Sequence, residues 1–177
     1  LGDVYKRQDK TFIKSQKKLS LVIVNEFLYY NDSAGNITAV DISNGNMSWQ
    51  TPTKNSTIFD DTFLLRTSNI VANQDMIIFS NNKNEFYSLD LISGNLKWKQ
   101  KINSSLQSTI IDNLILSITN EGYLVIIDSK NGNIIKITDV FTSFKKKKRL
   151  KVEPVGFVVA KDNIYLTTDN GRLFVID

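Results

Sequence analysis

The sequence predicts an all-β fold, a β-propeller fragment of about 3.5 four-stranded antiparallel blades. Three observations lead there. The chain repeats itself at a period near 40 residues. Its glycines fall at fixed places in that repeat. Each copy also breaks into short β-branched or aromatic runs, separated by turns rich in Asn, Gly, Asp and Ser.

The repeat is found by extending a short match, DISNGNMSW at 41–49 and DLISGNLKW at 90–98. Four copies emerge: FLYYNDSAGNITAVDISNGNMSWQ (27–50), MIIFSNNKNEFYSLDLISGNLKWKQ (76–100), LILSITNEGYLVIIDSKNGNIIKI (114–137) and IYLTTDNGRLFVID (164–177). The aspartates that anchor them are Asp41, Asp90, Asp128 and Asp177, spaced by 49, 38 and 49 residues. Such spacing fits one structural unit with loops of variable length between copies.

Glycine supplies an independent test. Gly35, Gly122 and Gly171 each lie six positions before an anchoring aspartate, with Asn84 at that place in the second copy. Gly45, Gly94 and Gly132 each lie four positions after one, so six of the eight glycines occupy two repeat positions. Asparagine is the best non-glycine residue where φ must be positive, so Asn84 obeys the same rule.

Within a copy the elements come in a fixed order. A candidate strand upstream of each unit is first (LSLVIVN, SNIVANQ, QSTIIDN or VGFVVAK). A second run is next (FLYYN, MIIFS, LILSI, IYLTT), then a third (ITAVD, FYSLD, YLVIID, LFVID) and a fourth (MSWQ, LKWKQ, IIKIT). No segment reads as an amphipathic helix of useful length. One unit is too small to bury both faces of its sheet, so neighbouring units must stack. Closed propellers hold about four to eight blades, so this chain is expected to be part of a larger ring.

The chain is read as one propeller over 9–177, with blades at about 17–54, 66–104, 105–142 and a partial one at 152–177. Residues 1–8, LGDVYKRQ, match nothing downstream, resemble a translated adapter, and are set aside as a non-native leader. The absence of an initiating methionine and the stop at LFVID suggest that both ends are cut.

Physically, the aspartate ends the third strand, where its carboxylate can accept backbone N–H groups of the adjoining turn. The Asn-Gly or Ser-Gly pair supplies the positive φ of a short hairpin or bulge. Trp49 and Trp98 then project as flat wedges against a neighbouring blade, each contributing roughly 3 kcal/mol on burial. Asp41, Gly45, Trp49, Asp90, Gly94, Trp98, Asp128 and Gly132 are therefore expected to be structural. Lys136 stands where the third copy needs its tryptophan, so that junction is either terminal to a subset or packed in another way.

Composition narrows the chemistry. The chain has neither cysteine nor histidine, which removes disulfides, thiolate nucleophiles, imidazole bases and most transition-metal sites. Its net charge is +4, of which Lys145, Lys146, Lys147, Lys148, Arg149 and Lys151 supply six positive charges, leaving −2 elsewhere. This is a near-neutral domain with one basic loop, expected to be solvated. Among functional roles for the run, attraction to anionic lipid headgroups is favoured. Nucleic-acid binding is not expected, because only Phe141 and Phe144 lie close enough to stack bases.

The pattern Ala39-x-Asp41-x-x-x-Gly45-x-x-x-Trp49 resembles the tryptophan docking motif of PQQ-like (pyrroloquinoline-quinone-type) β-propeller repeats. The second copy matches at Asp90, Gly94 and Trp98 with Ser88 for the alanine, and the third at Asp128 and Gly132 only. The order of segments, a long loop after M-x-W-Q and then FYSLDLISGNLKW, is most similar to the BamB family, whose blades lack cofactor ligands. That resemblance implies a non-enzymatic scaffold without catalytic, cofactor or metal residues. It implies a periplasmic location and outer-membrane anchoring as a lipoprotein in the full-length chain, although this stretch contains no lipobox. The implied partners are a BamA-like barrel-assembly protein, bound through its POTRA domains, and nascent outer-membrane strands.

In that family partner contacts sit on loops between blades. The corresponding residues here are Phe12, Ile13 and Lys14, and Asp60, Asp61 and Arg66 of the loop 55–66. The family carries its acidic residues late in that second loop, whereas here they come early. Two other readings of the repeat stay open. A PQQ-dependent dehydrogenase would need a vicinal cysteine pair and a calcium set that this chain lacks. A ligand-binding or sensor propeller would differ in what precedes the blades.

Overall fold

The computed structural model describes residues 20–32, 35–53, 67–149 and 151–177. Those residues form four antiparallel sheets whose strands are ordered as they occur in the chain, three sheets of four strands and a last one of three. Blade 1 holds β1 (Leu21–Val24), β2 (Phe27–Asn31), β3 (Asn36–Asp41) and β4 (Met47–Pro52). Blade 2 holds β5 (Val71–Ala72), β6 (Met76–Asn81), β7 (Glu85–Asp90) and β8 (Leu96–Gln100). In blade 3 the strands are β9 (Thr109–Ile111), β10 (Leu114–Ile118), β11 (Tyr123–Asp128) and β12 (Ile134–Asp139). Blade 4 comprises β13 (Pro154–Ala160), β14 (Asn163–Thr168) and β15 (Leu173–Ile176).

The blades share their cores. Side chains alternate across a strand, so a strand between two neighbours sends successive residues to opposite partners. In β6, Ile77 and Phe79 join Tyr29, Ile37 and Ala39 of blade 1. Met76 and Ile78 of the same strand join Ile115, Val125 and Ile127 of blade 3. That is why all six residues of β6 are buried. A third cluster joins Leu116, Ile118 and Leu124 of blade 3 to Ile164 and Leu166 of blade 4. The fold is a β-propeller fragment, with each of its three cores lying between sheets.

The repeat residues behave alike in successive blades. The second-to-third-strand turns have positive φ at Gly35 (89°), Gly122 (83°) and Gly171 (76°), and Asn84 takes the same conformation at 60°. Pairing between the third and fourth strands slips once in each complete blade, after Ala39, Ser88 and Ile126, at one place in the repeat. The slip lies just before the Asp-x-x-x-Gly turn, so the bulge and the turn act together to bend the ribbon.

Two elements differ from expectation. The inner strand of blade 2 is only two residues long, because Ser68 and Ile70 bond outside a regular ladder. Ile70 N–H donates to Ser20 Oγ (2.9 Å), and Ser68 Oγ accepts the N–H of Ser80 (2.9 Å). The lysine run, expected as a solvated loop, instead forms one helical turn, α1 (Lys146–Arg149). No helix among the described residues is long and apolar enough to cross a membrane.

Candidate partner-binding face

In an antiparallel sheet whose strands keep chain order, alternate connections fall at opposite ends. The turns between second and third strands therefore share one end of each blade with the connections to the next blade. Thr53 N–H donates to Gly35 O at that end of blade 1 (3.3 Å). Ser104 N–H, in the connection between blades 2 and 3, donates to Asn81 O (3.3 Å), and Asp169 N–H bonds Glu153 O in blade 4 (3.0 Å). The blade-joining segments thus converge on a single face.

Side chains fix these segments in place. Between blades 2 and 3, Asn120 N–H donates to Asn103 O (2.8 Å) and its amide nitrogen to Asn103 Oδ1 (2.9 Å). Asn120 Oδ1 in turn accepts from the backbone N–H (3.1 Å) and hydroxyl (2.8 Å) of Ser105. The Asn103 amide also donates to the Glu121 carboxylate. Next to this knot lies a polar cleft of about 140 Å³ lined by Asn82, Ser105, Asn120, Glu153 and Pro154. An open groove of about 400 Å³ runs alongside, lined in part by Lys101, Ile102, Tyr123, Val125, Ile134 and Ile137.

Two ion pairs lie on this face. Lys99 Nζ bonds Glu85 Oε1 (2.7 Å) and sits 4.8 Å above the Tyr87 ring. Burial pushes the Glu85 carboxyl up, but hydrogen bonds from Lys99, Asn81 and Tyr87 outweigh it and hold the group below the ordinary range. The same pairing raises Lys99 through its hydrogen bond to Glu85. Burial raises the Tyr87 phenol, whose hydroxyl donates to Thr53 O (3.0 Å) at the start of the blade 1 to blade 2 connection. Arg149 pairs with Asp139, approaches Glu121 O (3.4 Å) and lies 4.8 Å over Tyr123.

The opposite end carries the Asp-x-x-x-Gly turns. Asp41 Oδ1 accepts from Ser43 N–H (2.8 Å) and hydroxyl (2.6 Å), Asp90 Oδ1 from the same two groups of Ser93 (2.8 Å each), and Asp128 Oδ1 from Lys130 N–H (2.8 Å). Gly45, Gly94 and Gly132 each donate to the carbonyl of their aspartate, at 2.8, 3.0 and 2.8 Å. These hydrogen bonds lower Asp41, chiefly through the Ser43 hydroxyl, and Asp90, chiefly through Ser93 N–H. The two tryptophans cross to the next blade. Trp98 Nε1 donates to Ser129 O (2.8 Å), and a Cβ on Gly132 would lie 2.6 Å from the Trp98 ring. Trp49 covers Gly94 in the same way, assisted by Thr51 Oγ1 donating to Gly94 O (2.7 Å).

Blade 3 solves its junction differently. Lys136 is exposed, and the contact with blade 4 is made by Phe141, Phe144 and Phe174, whose ring centroids lie 5.4–5.6 Å apart. Phe12, Ile13, Lys14, Asp60, Asp61 and Arg66, the residues singled out for partner binding, lie outside the described residues. Sequence reasoning missed the Asn103–Asn120–Ser105 knot. Its signal was the asparagine two places before the turn position in both the second and third copies, Asn82 and Asn120.

No curated protein matches the sequence. Among solved structures, BamB from Moraxella catarrhalis is similar over 88% of this chain and 47% of its own, at 14% identity and a TM-score of 0.63. The computationally designed Ika4 protein is similar over 91% of both chains, at 12% identity and a TM-score of 0.69. A europium-containing methanol dehydrogenase is similar over 67% of this chain and 24% of its own, at 18% identity and a TM-score of 0.54. At such identities these likenesses show the fold alone. The chain spans about half the length of the Moraxella protein. Sequence goes further than shape: the family model described as outer membrane protein assembly factor BamB matches residues 5–138. With its docking tryptophans, turn aspartates and shared cores, the chain belongs to the BamB family of PQQ-like propellers.

Proposed function

We propose that this chain is part of a non-catalytic scaffold that supports the assembly of β-barrel outer-membrane proteins from the periplasmic side, anchored to the outer membrane in its full-length form. The observation that carries the reading is the BamB family match over residues 5–138. The partner is a BamA-like barrel-assembly protein, and nascent outer-membrane strands meet the same face. Binding runs through the blade-joining connections, Phe12–Lys14 and the loop holding Asp60, Asp61 and Arg66 first among them. Hydrogen bonds such as those of Asn103, Ser105 and Asn120 support this by fixing connections before a partner arrives, which lowers the ordering cost of association.

The test is direct binding of the chain to the soluble periplasmic domains of a barrel-assembly subunit by calorimetry. Alanine at Phe12, Ile13, Asp60, Asp61 and Arg66 together is expected to weaken binding by more than about tenfold, the effect of losing one or two moderate contacts. Circular dichroism checks that the sheets persist. Unchanged affinity in the substituted chain would move the contact to another connection, and no binding by the unmodified chain would sink the reading.

A further inference from the structure

The connection between β12 and β13 contains the densest charge in the molecule, and its architecture separates the described basic side chains into two groups. One group is spent internally. Arg149 pairs with Asp139 and stacks on Tyr123, and the Asp139 hydrogen bond raises its guanidinium further above the ordinary value. Phe144 is held in the ring cluster with Phe141 and Phe174, under Arg172 at 4.9 Å. Val152 is buried just beyond the turn. The segment is thus pinned before, within and after α1.

The second group is displayed. Lys145, Lys147 and Lys151 are exposed and make no ion pair among the described residues. Nearby acids are engaged elsewhere: Asp139 holds Arg149, Glu121 holds Asn103, and Asp169 Oδ1 accepts Glu153 N–H (2.9 Å). Of the described acids close by, the exposed Glu153 carboxylate is left to offset the three lysines. We propose that this pinned turn is a contact for an anionic phospholipid surface, with Lys145, Lys147 and Lys151 as the residues that meet the headgroups.

Three features select lipid over other polyanions. The arginine, which recognises carboxylate or phosphate by a fixed two-pronged geometry, faces inward, while the outward residues are lysines, compact charges on flexible stems suited to a fluid headgroup layer. Both phenylalanines of the segment are packed away, Phe141 completely, so no ring is offered for stacking on a base. The other exposed described side chains of the segment are Thr142, Ser143 and Glu153, which provide no apolar anchor of the kind that dominates protein interfaces. The turn lies on the face of the blade-joining connections, so a membrane contact there sets that face toward the bilayer. Such a contact does not depend on the barrel-assembly partner.

The experiment is co-sedimentation of the unmodified chain with phosphatidylcholine vesicles, alone or mixed with phosphatidylglycerol, compared with the K145Q/K147Q/K151Q variant. Binding is expected only to the anionic vesicles and is expected to fall with added salt. A charge near an anionic surface changes affinity about fivefold, so the triple variant should bind on the order of a hundredfold more weakly. Should the variant fail to give a native melting curve, the salt series on the unmodified chain carries the test. Equal binding to both kinds of vesicle, no loss in a folded variant, or no salt dependence would each overturn the proposal. So would tighter binding to polyglutamate or single-stranded RNA than to anionic vesicles.

Discussion

Gly45 and Gly132 share a backbone conformation, with φ of 73° and 76°, but not an environment. A Cβ at Gly45 meets nothing within 4 Å, whereas one at Gly132 collides with the Trp98 ring. The pair separates two costs that one glycine usually hides. Gly45→Ala should lose only the left-handed backbone term, about 1–2 kcal/mol. Gly132→Ala adds displacement of a packed indole, for a total of about 3 kcal/mol or more. Urea unfolding of the two variants checks this, and equal midpoints would mean that the tryptophan docks without needing the bare glycine. The glycine spacing was legible in sequence. What each glycine faces was not, because the tryptophan arrives from another blade.

At the scale of the hairpin, the turn aspartates make stability depend on acid. Ser93 holds the Asp90 carboxyl below its ordinary value, so the unfolded chain takes up a proton there before the folded chain does. The stabilising contribution is present above the ordinary carboxylate range and is lost as pH falls through the lowered folded value. Ser93→Ala removes the hydroxyl contact, so an NMR titration should show Asp90 moving up toward its ordinary value while Asp41 stays where it is. A titration in which both or neither moved would contradict the assignment. The strand order was readable from alternation and turn chemistry. The helical turn α1 was not, since a run of like charges gives no periodic signal, and its anchor, Asp139 with Tyr123, lies on earlier strands. The blade-joining connections stayed equally opaque: loops repeat neither in length nor in composition, so no comparison of copies reveals their geometry.

Across the whole molecule, stability is divided among junctions rather than concentrated in one centre, and neighbours couple most strongly. Phe141 is fully buried in the core shared by blades 3 and 4, against Gly122 at the end opposite the docking tryptophans. Phe141→Ala is expected to cost about 3–5 kcal/mol locally. Amide hydrogen exchange should then quicken in β14 and β15 while β6 and β7 keep their protection. Uniform acceleration through all four sheets would show instead that the array unfolds as one unit. Shared cores also explain why sequence comparison finds the blade so readily and the junction so poorly. The repeat marks where one sheet begins and ends, while the apolar contacts run from each sheet to the next.

The bodies that pack and the bodies that recur are therefore offset by half a period. Copying one blade transmits halves of two different cores, each of which must fit a face it has not met. The tryptophan with its receiving glycine is a portable fitting for that purpose, carried on opposite margins of a copy. Blade 3 lacks the fitting: Lys136 stands where the tryptophan would be, and at the other end of the junction a trio of phenylalanines, two from the connecting segment and one from blade 4, packs together. Divergence between copies should therefore accumulate in matched pairs, a change on one margin answered on the facing margin of the neighbour.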